Sequence, residues 1–130
     1  MRDYRNLKVW EKAHRLTLAA YCGTAHFPKA ELFGLTSQIR RASVSVEANL
    51  AEGCGRRSDG EMARFVQIAM GSGSELSCHS LLARDLGMLE GPEYRVPQES
   101  ATEVLLMLSA LSERVKRPAA REHLELTAKG

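Results

Sequence analysis

The chain has 130 residues, a formal net charge of +2 and only 5% aromatic residues. This length suits one domain with one core, and the scarcity of aromatics favours aliphatic side chains meeting between helices over a β-sandwich. No stretch approaches eighteen apolar residues and no secretory signal pattern is present, which argues against a membrane span or secretion, so we expect a cytoplasmic protein.

Three cysteines are present, an odd number, and they are widely spaced with no Cys-x-x-Cys pair: Cys22, Cys54 and Cys78. A disulfide framework or a zinc site requires paired, closely spaced cysteines. We therefore predict reduced thiols that act as small core residues.

The first two helices are predicted from apolar residues that recur at spacings of three and four. The first covers residues 7–25 and has Asn6 as its N-terminal cap, and a proline-containing turn of about eight residues follows it. The second covers residues 36–54 and stops at a pair of glycines.

The third predicted helix is the longest and covers residues 58–89. Ser58 and Glu61 fit a capping box, in which each side chain accepts a backbone N–H of the other residue. The Gly-Ser-Gly-Ser run at residues 71–74 is typical of a loop, but the apolar spacing keeps its phase across it. We therefore predict a continuous helix that another helix can approach closely at Gly71 and Gly73.

The fourth helix is predicted to begin near Pro97 and to end at Pro118, because proline is favoured in a first turn and interrupts a helix interior. Residues 1–117 then form the domain, and residues 118–130 a loosely held tail. Four amphipathic helices with short connections predict an all-α fold, an antiparallel up-down-up-down four-helix bundle.

The sequence contains no recognisable set of catalytic residues, so we expect no catalytic residue, cofactor or metal. Glu11 and His14 make one Glu-x-x-His unit, whereas a di-iron bundle needs two such units. Cys78 and His79 are neighbours on a helix and point about 100° apart, which disfavours a nucleophile and base pair. We interpret Glu11 and His14 as a surface pair, and Cys78 and His79 as packing residues.

A polar stripe borders the apolar face of the second and third helices and contains Asn, Ser and Gly in place of the usual Lys and Glu. Its residues are Gln38, Arg41, Ser45, Asn49, Glu52, Arg56, Arg64, Gln67, Gly71 and Glu75. One interpretation is an ordinary solvated face. The other, which we favour, is a partly buried polar seam in which Arg41, Asn49, Glu52 and Glu75 pair between helices or between subunits.

Arginine supplies thirteen of the eighteen basic residues, and residues 1–64 hold eleven basic against seven acidic side chains. Arginine binds phosphate or carboxylate through two parallel hydrogen bonds. A solvated surface with internal ion pairs explains the composition equally well. The candidate nucleic-acid contacts are Arg40, Arg56, Arg57 and Arg64, and we expect Arg56 and Arg57, in a turn, to be freer than Arg41.

Several segments resemble the ribosomal RNA intervening-sequence protein family. They are YRNLKVW at residues 4–10, FPKAE at 27–31, LTSQIRRA at 35–42, NLAEG at 49–53, and residues 64–65, 71–72, 75–76 and 81–89. The resemblance implies a four-helix bundle that assembles as a homopentameric ring. The same family resembles the accessory variability proteins of diversity-generating retroelements, which bind nucleic acid through a basic barrel; this chain is less basic than those proteins.

The expected function is therefore that of a non-enzymatic oligomeric binding protein whose arginines contact the RNA or DNA backbone. The alternative is a protein-interaction scaffold with no nucleic-acid role.

Overall fold

The computed structural model describes the backbone of residues 2–129 and the side chains of residues 2–116. It contains four α-helices: α1 (Lys8–Thr24), α2 (Ser37–Cys54), α3 (Asp59–Asp85) and α4 (Pro92–Lys129). The described residues contain no strand, which confirms the predicted all-α class. None of the described helices is long and apolar enough to cross a bilayer.

Contacts between neighbouring helices show that each pair is antiparallel. His14, Thr17 and Thr24 of α1 meet residues of steadily lower number on α2, namely Glu47, Ser43 and Arg40. In the same way Gln67 and Ser77 of α3 meet Ser112 and Gln98 of α4. With α2 packed against α3 and α1 against α4, the four helices form a bundle, and this packing is compatible with the predicted up-down-up-down order.

The core consists of aliphatic side chains from all four helices. Its largest members with less than 2% exposure are Val46, Leu50, Met62, Val66, Val104 and Leu108. Such side chains interlock between helices at close packing, which explains how a chain with few aromatics builds one core.

The first helix begins one residue later than predicted, and Asn6 does not cap it. Asn6 belongs to a 3-10 turn, Tyr4–Asn6, which Asp3 caps by accepting the Arg5 N–H. The cap position of α1 is Leu7, which makes no side-chain hydrogen bond. The side-chain cap therefore belongs to the 3-10 turn before α1, and α1 itself has none.

The connection from α1 to α2 contains a 3-10 turn, Lys29–Glu31, and then a π turn, Leu32–Thr36. The Glu31 carboxylate accepts the Leu35 N–H at 3.0 Å. Gly34 within this turn has the non-helical angles φ −107° and ψ −115°, so the turn is kinked. The start of α2 is therefore irregular on the side where the connection enters it.

The third helix begins as predicted but ends earlier, at Asp85 in place of Leu89. The Ser58 Oγ accepts the Glu61 N–H at 3.1 Å, which is one half of the expected capping box. Gly87 adopts a φ of +78° and the Met88 N–H returns to the Ala83 carbonyl at 2.8 Å. This glycine-dependent end replaces the last predicted turn.

The Gly-Ser-Gly-Ser run lies within the unbroken helix α3, as predicted. A Cβ on Gly73 would lie 2.9 Å from Leu105 Cδ2, so α4 approaches the helix closely there. Gly71 faces open space. Gly73 therefore fulfils the predicted close packing, whereas Gly71 does not within this chain.

The fourth helix is longer than predicted at both ends. It begins at Pro92, a favoured first helical position, five residues before Pro97. Its bounds pass Pro118, since a proline removes one helical hydrogen bond without excluding a helix on both sides. The loose packing predicted for residues 118–130 concerns side chains that lie outside the described ones, and it stays a prediction.

The three cysteines do not share one environment. Cys54 is 1% exposed, and burial raises the pKa of its thiol, so it is the predicted core cysteine. The core assignment is wrong for Cys22 and Cys78, which are exposed on α1 and α3. Apolar spacing did not separate the two classes because cysteine is small enough for either face.

Candidate functional site: the basic end of the bundle

At one end of the bundle, two of the predicted arginines share an aromatic ring. The guanidinium carbon of Arg56, just after α2, lies 4.8 Å from the centroid of the Phe65 ring, and that of Arg64 lies 5.5 Å from it. Phe65 is held on the α2 side of α3, where its Cβ lies 3.1 Å from the position of a Cβ on Gly53. The close contact of α2 and α3 at a glycine thus positions the aromatic ring that brings Arg56 and Arg64 together.

Charges around this pair are only partly neutralised. Arg56 also forms an ion pair with Glu52, one helical turn earlier. The side chains of Arg57 and Arg64 are exposed and form no ion pair among the described residues. Of the two arginines expected to be freer than Arg41, Arg56 is held by Glu52 and Phe65, whereas Arg57 forms no ion pair among the described residues.

Two further arginines at the same end belong to the N-terminal segment. The Arg2 N–H donates to the Cys54 carbonyl at 3.0 Å, and its side chain pairs with Asp59 at 2.9 Å. Arg5 pairs with Asp3 at 3.0 Å, and hydrogen bonds from Arg5 lower the pKa of the Asp3 carboxyl. The segment therefore lies across the α2–α3 turn, where it adds two arginines that are paired with Asp59 and Asp3. We call this region the basic end and define it by Arg2, Arg5, Arg56, Arg57 and Arg64.

Arg40 is not part of the basic end. It lies near the start of α2, where its Nε donates to Thr24 Oγ1 at 2.9 Å and its guanidinium carbon lies 4.7 Å from the Tyr21 ring centroid. The fourteen residues of α2 that follow Arg40, up to its end at Cys54, span roughly 21 Å at 1.5 Å per residue, and Arg56 lies beyond that end. Arg40 and the other predicted nucleic-acid contacts do not form one surface within the chain.

Two residues of the predicted polar seam, Ser45 and Asn49, take part in hydrogen bonds where the middles of α2 and α3 meet. Ser45 Oγ and Ser72 Oγ are 2.7 Å apart, and the Asn49 amide donates to the Ser45 carbonyl at 2.8 Å and to Ser45 Oγ at 3.0 Å. All three side chains are half-buried. These hydrogen bonds satisfy polar groups that the packing of two helices removes from water.

The remaining seam residues do not pair with one another as expected. Glu52 pairs with Arg56, and Glu75 contacts His79 at 3.2 Å, each one turn away on its own helix. Gln38 is half-buried, whereas Arg41 and Gly71 are exposed. Glu52 and Glu75 each pair with a residue four positions later in the sequence, because such side chains are neighbours along a helical turn.

The predicted Glu-x-x-His unit is divided between two partners. Glu11 pairs with Arg15 at 2.6 Å, whereas the Nδ1 atom of His14 lies 2.8 Å from a Glu47 oxygen on α2. Within the described residues no group of three or more His, Cys, Asp and Glu side chains could hold a metal ion. The expectation that the protein binds no metal stays a prediction, which elemental analysis of protein purified without an affinity tag would check.

Sequence reasoning missed a groove that lies at the other end of the bundle, between α1 and the start of α2. Its walls are Tyr21, Leu32, Thr36, Ser37, Arg40, Arg41 and Val44. Nearby, at the α3–α4 connection, a small apolar cavity of about 30 Å³ lies between the helices. Tyr21 is the residue that could have indicated the groove, because it is 44% exposed and is not among the buried residues of α1. Apolar spacing alone does not show that an aromatic residue on a helix is left uncovered.

Comparisons with known proteins identify the family. The model of the 23S rRNA-intervening sequence protein family matches residues 5–110. The chain belongs to this family. Its fold is similar to the crystal structure of a protein with unknown function from the S23 ribosomal protein family of Bacteroides thetaiotaomicron VPI-5482, with a TM-score of 0.72 at 19% identity, over 80% of this chain and 97% of that chain. None of the curated proteins compared with the chain matches it.

Membership confirms the resemblance to the ribosomal RNA intervening-sequence protein family, whereas the relation to accessory variability proteins stays a prediction. The basic end is mostly inside the matched range, because Arg5, Arg56, Arg57 and Arg64 all lie between residues 5 and 110. At 19% identity, the similar crystal structure shares the fold and carries no information on a ligand.

Proposed function

We propose that this protein is a non-enzymatic helical-bundle binding protein whose basic end contacts the phosphate backbone of RNA or DNA. The observation that carries the proposal is the grouping of Arg57 and Arg64, exposed and without an ion pair among the described residues, beside Arg56 stacked on Phe65. Guanidinium groups bind phosphate through two parallel hydrogen bonds and resist loss of charge at any physiological pH.

The aromatic ring supports the same proposal. A guanidinium that stacks on a ring loses less conformational freedom on binding, because its plane is already held. Arg56 and Arg64 are held in this way by Phe65, whereas Arg57 supplies a freer charge. Membership of a family described by an intervening sequence of ribosomal RNA favours RNA as the first ligand to test.

Self-association would multiply such a site, and we propose it as the second part of the function. The outer surface of α2 and α3 carries small exposed residues, Ala48 and Gly71, next to the hydrogen-bonded seam of Ser45, Asn49 and Ser72. Small residues let a second subunit approach the backbone closely. The family resemblance implies a ring of five subunits, in which five basic ends would act together.

Binding can be tested by fluorescence anisotropy with a labelled RNA and a labelled DNA of equal length, measured over a series of salt concentrations. The variant Arg57→Ala with Arg64→Ala should weaken binding at least about tenfold. On duplex DNA it should also reduce the salt slope by about 0.9 for each phosphate that is no longer neutralised. Neither residue has an ion pair among those described, so the fold should remain intact.

Arg84→Ala with Arg95→Ala provides the control at the opposite end of the bundle, where both arginines are exposed, although Arg84 also pairs with Asp85. The control should bind like the wild type. Wild-type protein that binds neither nucleic acid at low salt would contradict the proposal, because the electrostatic contribution that supplies non-specific affinity would be missing.

Light scattering tests self-association separately. Gly71→Arg places a large side chain on the outer face of α3, where a Cβ meets nothing within 4 Å. The variant should therefore fold but fail to assemble. A wild-type monomer at micromolar concentration would contradict this part of the proposal and leave the nucleic-acid part standing.

A further inference from the structure

The groove between α1 and the start of α2 combines apolar walls with two arginines. It is a shallow groove of about 420 Å³ that is open to solvent along its length. Tyr21 and Val44 line it, with 44% and 39% of their surfaces exposed, and Leu32 on the π turn is 50% exposed. These three side chains leave an apolar strip open to solvent at the edge of the groove.

Arg40 is held in a fixed position within this groove. Its Nε donates to Thr24 Oγ1 at 2.9 Å, and its guanidinium lies over the Tyr21 ring at 4.7 Å. The two terminal nitrogens form no hydrogen bond within the described residues. A guanidinium fixed on one edge and open on the other can receive a carboxylate through two parallel hydrogen bonds at little entropic cost.

Arg41 stands beside Arg40 and adds a second charge to the groove. Neither arginine forms an ion pair among the described residues. No acidic residue lines the groove, and two on the adjoining elements have other partners, since Glu31 accepts the Leu35 N–H and Glu47 contacts His14. The groove therefore has two positive charges with no carboxylate of its own.

We infer that this groove docks an acidic segment of a partner protein, with an Asp or Glu carboxylate on Arg40 and Arg41 and a neighbouring bulky apolar side chain against Tyr21, Leu32 and Val44. The charge of the two arginines selects the acidic residue, and the exposed apolar strip selects the side chain beside it. The inference goes beyond the proposed function, because the groove and the basic end lie at opposite ends of α2.

The apolar walls favour a peptide over nucleic acid as the occupant. Leu32 and Val44 are aliphatic and offer no ring face on which a base can stack, and the ring of Tyr21 is covered on one side by Arg40. Phe33, adjacent in the chain and 93% exposed, extends the apolar surface further. Burial of such side chains is the usual source of affinity when a protein groove receives a peptide.

A peptide array tests this inference. Full-length protein is applied to peptides of about twelve residues in which one Glu or Asp lies one to four residues from a Leu or Phe. The same peptides with Gln or Asn in place of the acid, or with Ala in place of the apolar residue, are printed beside them. The acidic apolar peptides should bind at least about tenfold more tightly than either control set, as removal of a charge-assisted bidentate hydrogen bond predicts.

Variants then assign the binding to the groove. Arg41→Gln and Leu32→Ser change exposed side chains without hydrogen bonds in the described residues, so each should fold and each should lose at least about tenfold in affinity for the best peptide. Arg40→Gln should lose more, although it also gives up the hydrogen bond to Thr24. Arg57→Gln, at the basic end, is the control and should bind the peptide like the wild type.

Three outcomes would overturn the inference. Acidic peptides that bind no better than their Gln controls would remove the role of the arginines. A labelled RNA whose affinity falls with Arg41→Gln but not with Arg57→Gln would show that the groove takes phosphate. A change of oligomeric state in Leu32→Ser, measured by light scattering, would show that a second copy of the chain covers the groove.

Discussion

The two ends of the bundle have opposite characters although the same helix, α2, runs through both. At the basic end α2 and α3 are in close contact through Gly53, and charge dominates the surface around Arg57 and Arg64. The opposite end, where α1 connects to α2 and α3 connects to α4, is called the connection end. There the helices leave a cavity of about 30 Å³, and the surface around Leu32 is apolar. The contrast teaches that one amphipathic helix can support two different kinds of surface when its termini meet different connections.

The difference follows from the length of the connections. A four-residue connection from α2 to α3 holds the two helices together and forces its arginines outward. The connection from α1 to α2 is longer and contains two irregular turns, which raise Leu32 and Phe33 away from the core. Substitutions at one end should therefore leave the packing of the other end unchanged.

The largest effect should come from the core of the basic end. Met62 is 1% exposed, so Met62→Ala should lower the free energy of unfolding by about 2 to 5 kcal/mol. Met88→Ala, at the half-buried methionine of the other end, should cost less than half as much. Urea denaturation followed by circular dichroism measures both, and equal losses would contradict the difference in packing between the ends.

The close helix contact at Gly53 should tolerate no added carbon. A Cβ there would lie 3.1 Å from Phe65 Cβ and 3.4 Å from the Met62 carbonyl oxygen, which belongs to the backbone and cannot yield easily. Gly53→Ala should therefore destabilise the protein by about 1 to 3 kcal/mol. It should also weaken nucleic-acid binding, because a displaced Phe65 no longer positions Arg56. A variant as stable as the wild type would show that the contact is looser than described.

The corresponding substitution at the connection end should have the opposite sign. A Cβ on Gly23 would contact Leu89 Cδ2 at an ordinary 4.0 Å and would partly fill the cavity that both residues line. Gly23→Ala should raise the free energy of unfolding by up to about 1 kcal/mol, since alanine is the better helix former. The midpoint of thermal unfolding should rise accordingly. A lower midpoint would show that the added methyl group does not fit between α1 and Leu89.

The smallest effect concerns charge at the basic end. The pKa of Asp3 is lowered by hydrogen bonds from Arg5, so this pair stabilises the fold above the ordinary aspartate pKa of about 3.9 and ceases to do so as the pH falls through the lowered value. In Arg5→Ala the Asp3 pKa should return toward its ordinary value, as measured by NMR titration of the carboxyl carbon. The stabilities of wild type and variant should converge at low pH.

Much of the fold was predictable from the sequence because it depends on spacing. The repeat of apolar residues identified four helices and showed that α3 continues through Gly73, against the local preference of glycine. Helix ends were less predictable. The φ of +78° at Gly87 ends α3 one turn early, and Asp3, not Asn6, provides the N-terminal cap. These choices depend on hydrogen bonds among a few residues that several positions could make.

The candidate site was predictable only in part. Spacing placed Ser45 and Asn49 on one seam, and composition drew attention to Arg57 and Arg64. It could not show that Phe65 would bring two arginines together, because that depends on how closely α2 and α3 approach. Nor could spacing show which arginines form an ion pair within the chain. Arg56 pairs with Glu52, whereas Arg41 has no ion pair among the described residues, although Arg56 was expected to be the freer of the two.

One glycine and one carboxylate set the turn that carries Leu32 and Phe33. Gly34 interrupts this turn with a φ of −107° and a ψ of −115°, which are not helical angles. A Cβ at Gly34 would lie 2.7 Å from Glu31 Oε2, the oxygen that accepts the Leu35 N–H. A side chain at position 34 would therefore displace the carboxylate that ties the turn to the start of α2. The path of the exposed Leu32 and Phe33 thus depends on a residue that has no side chain of its own.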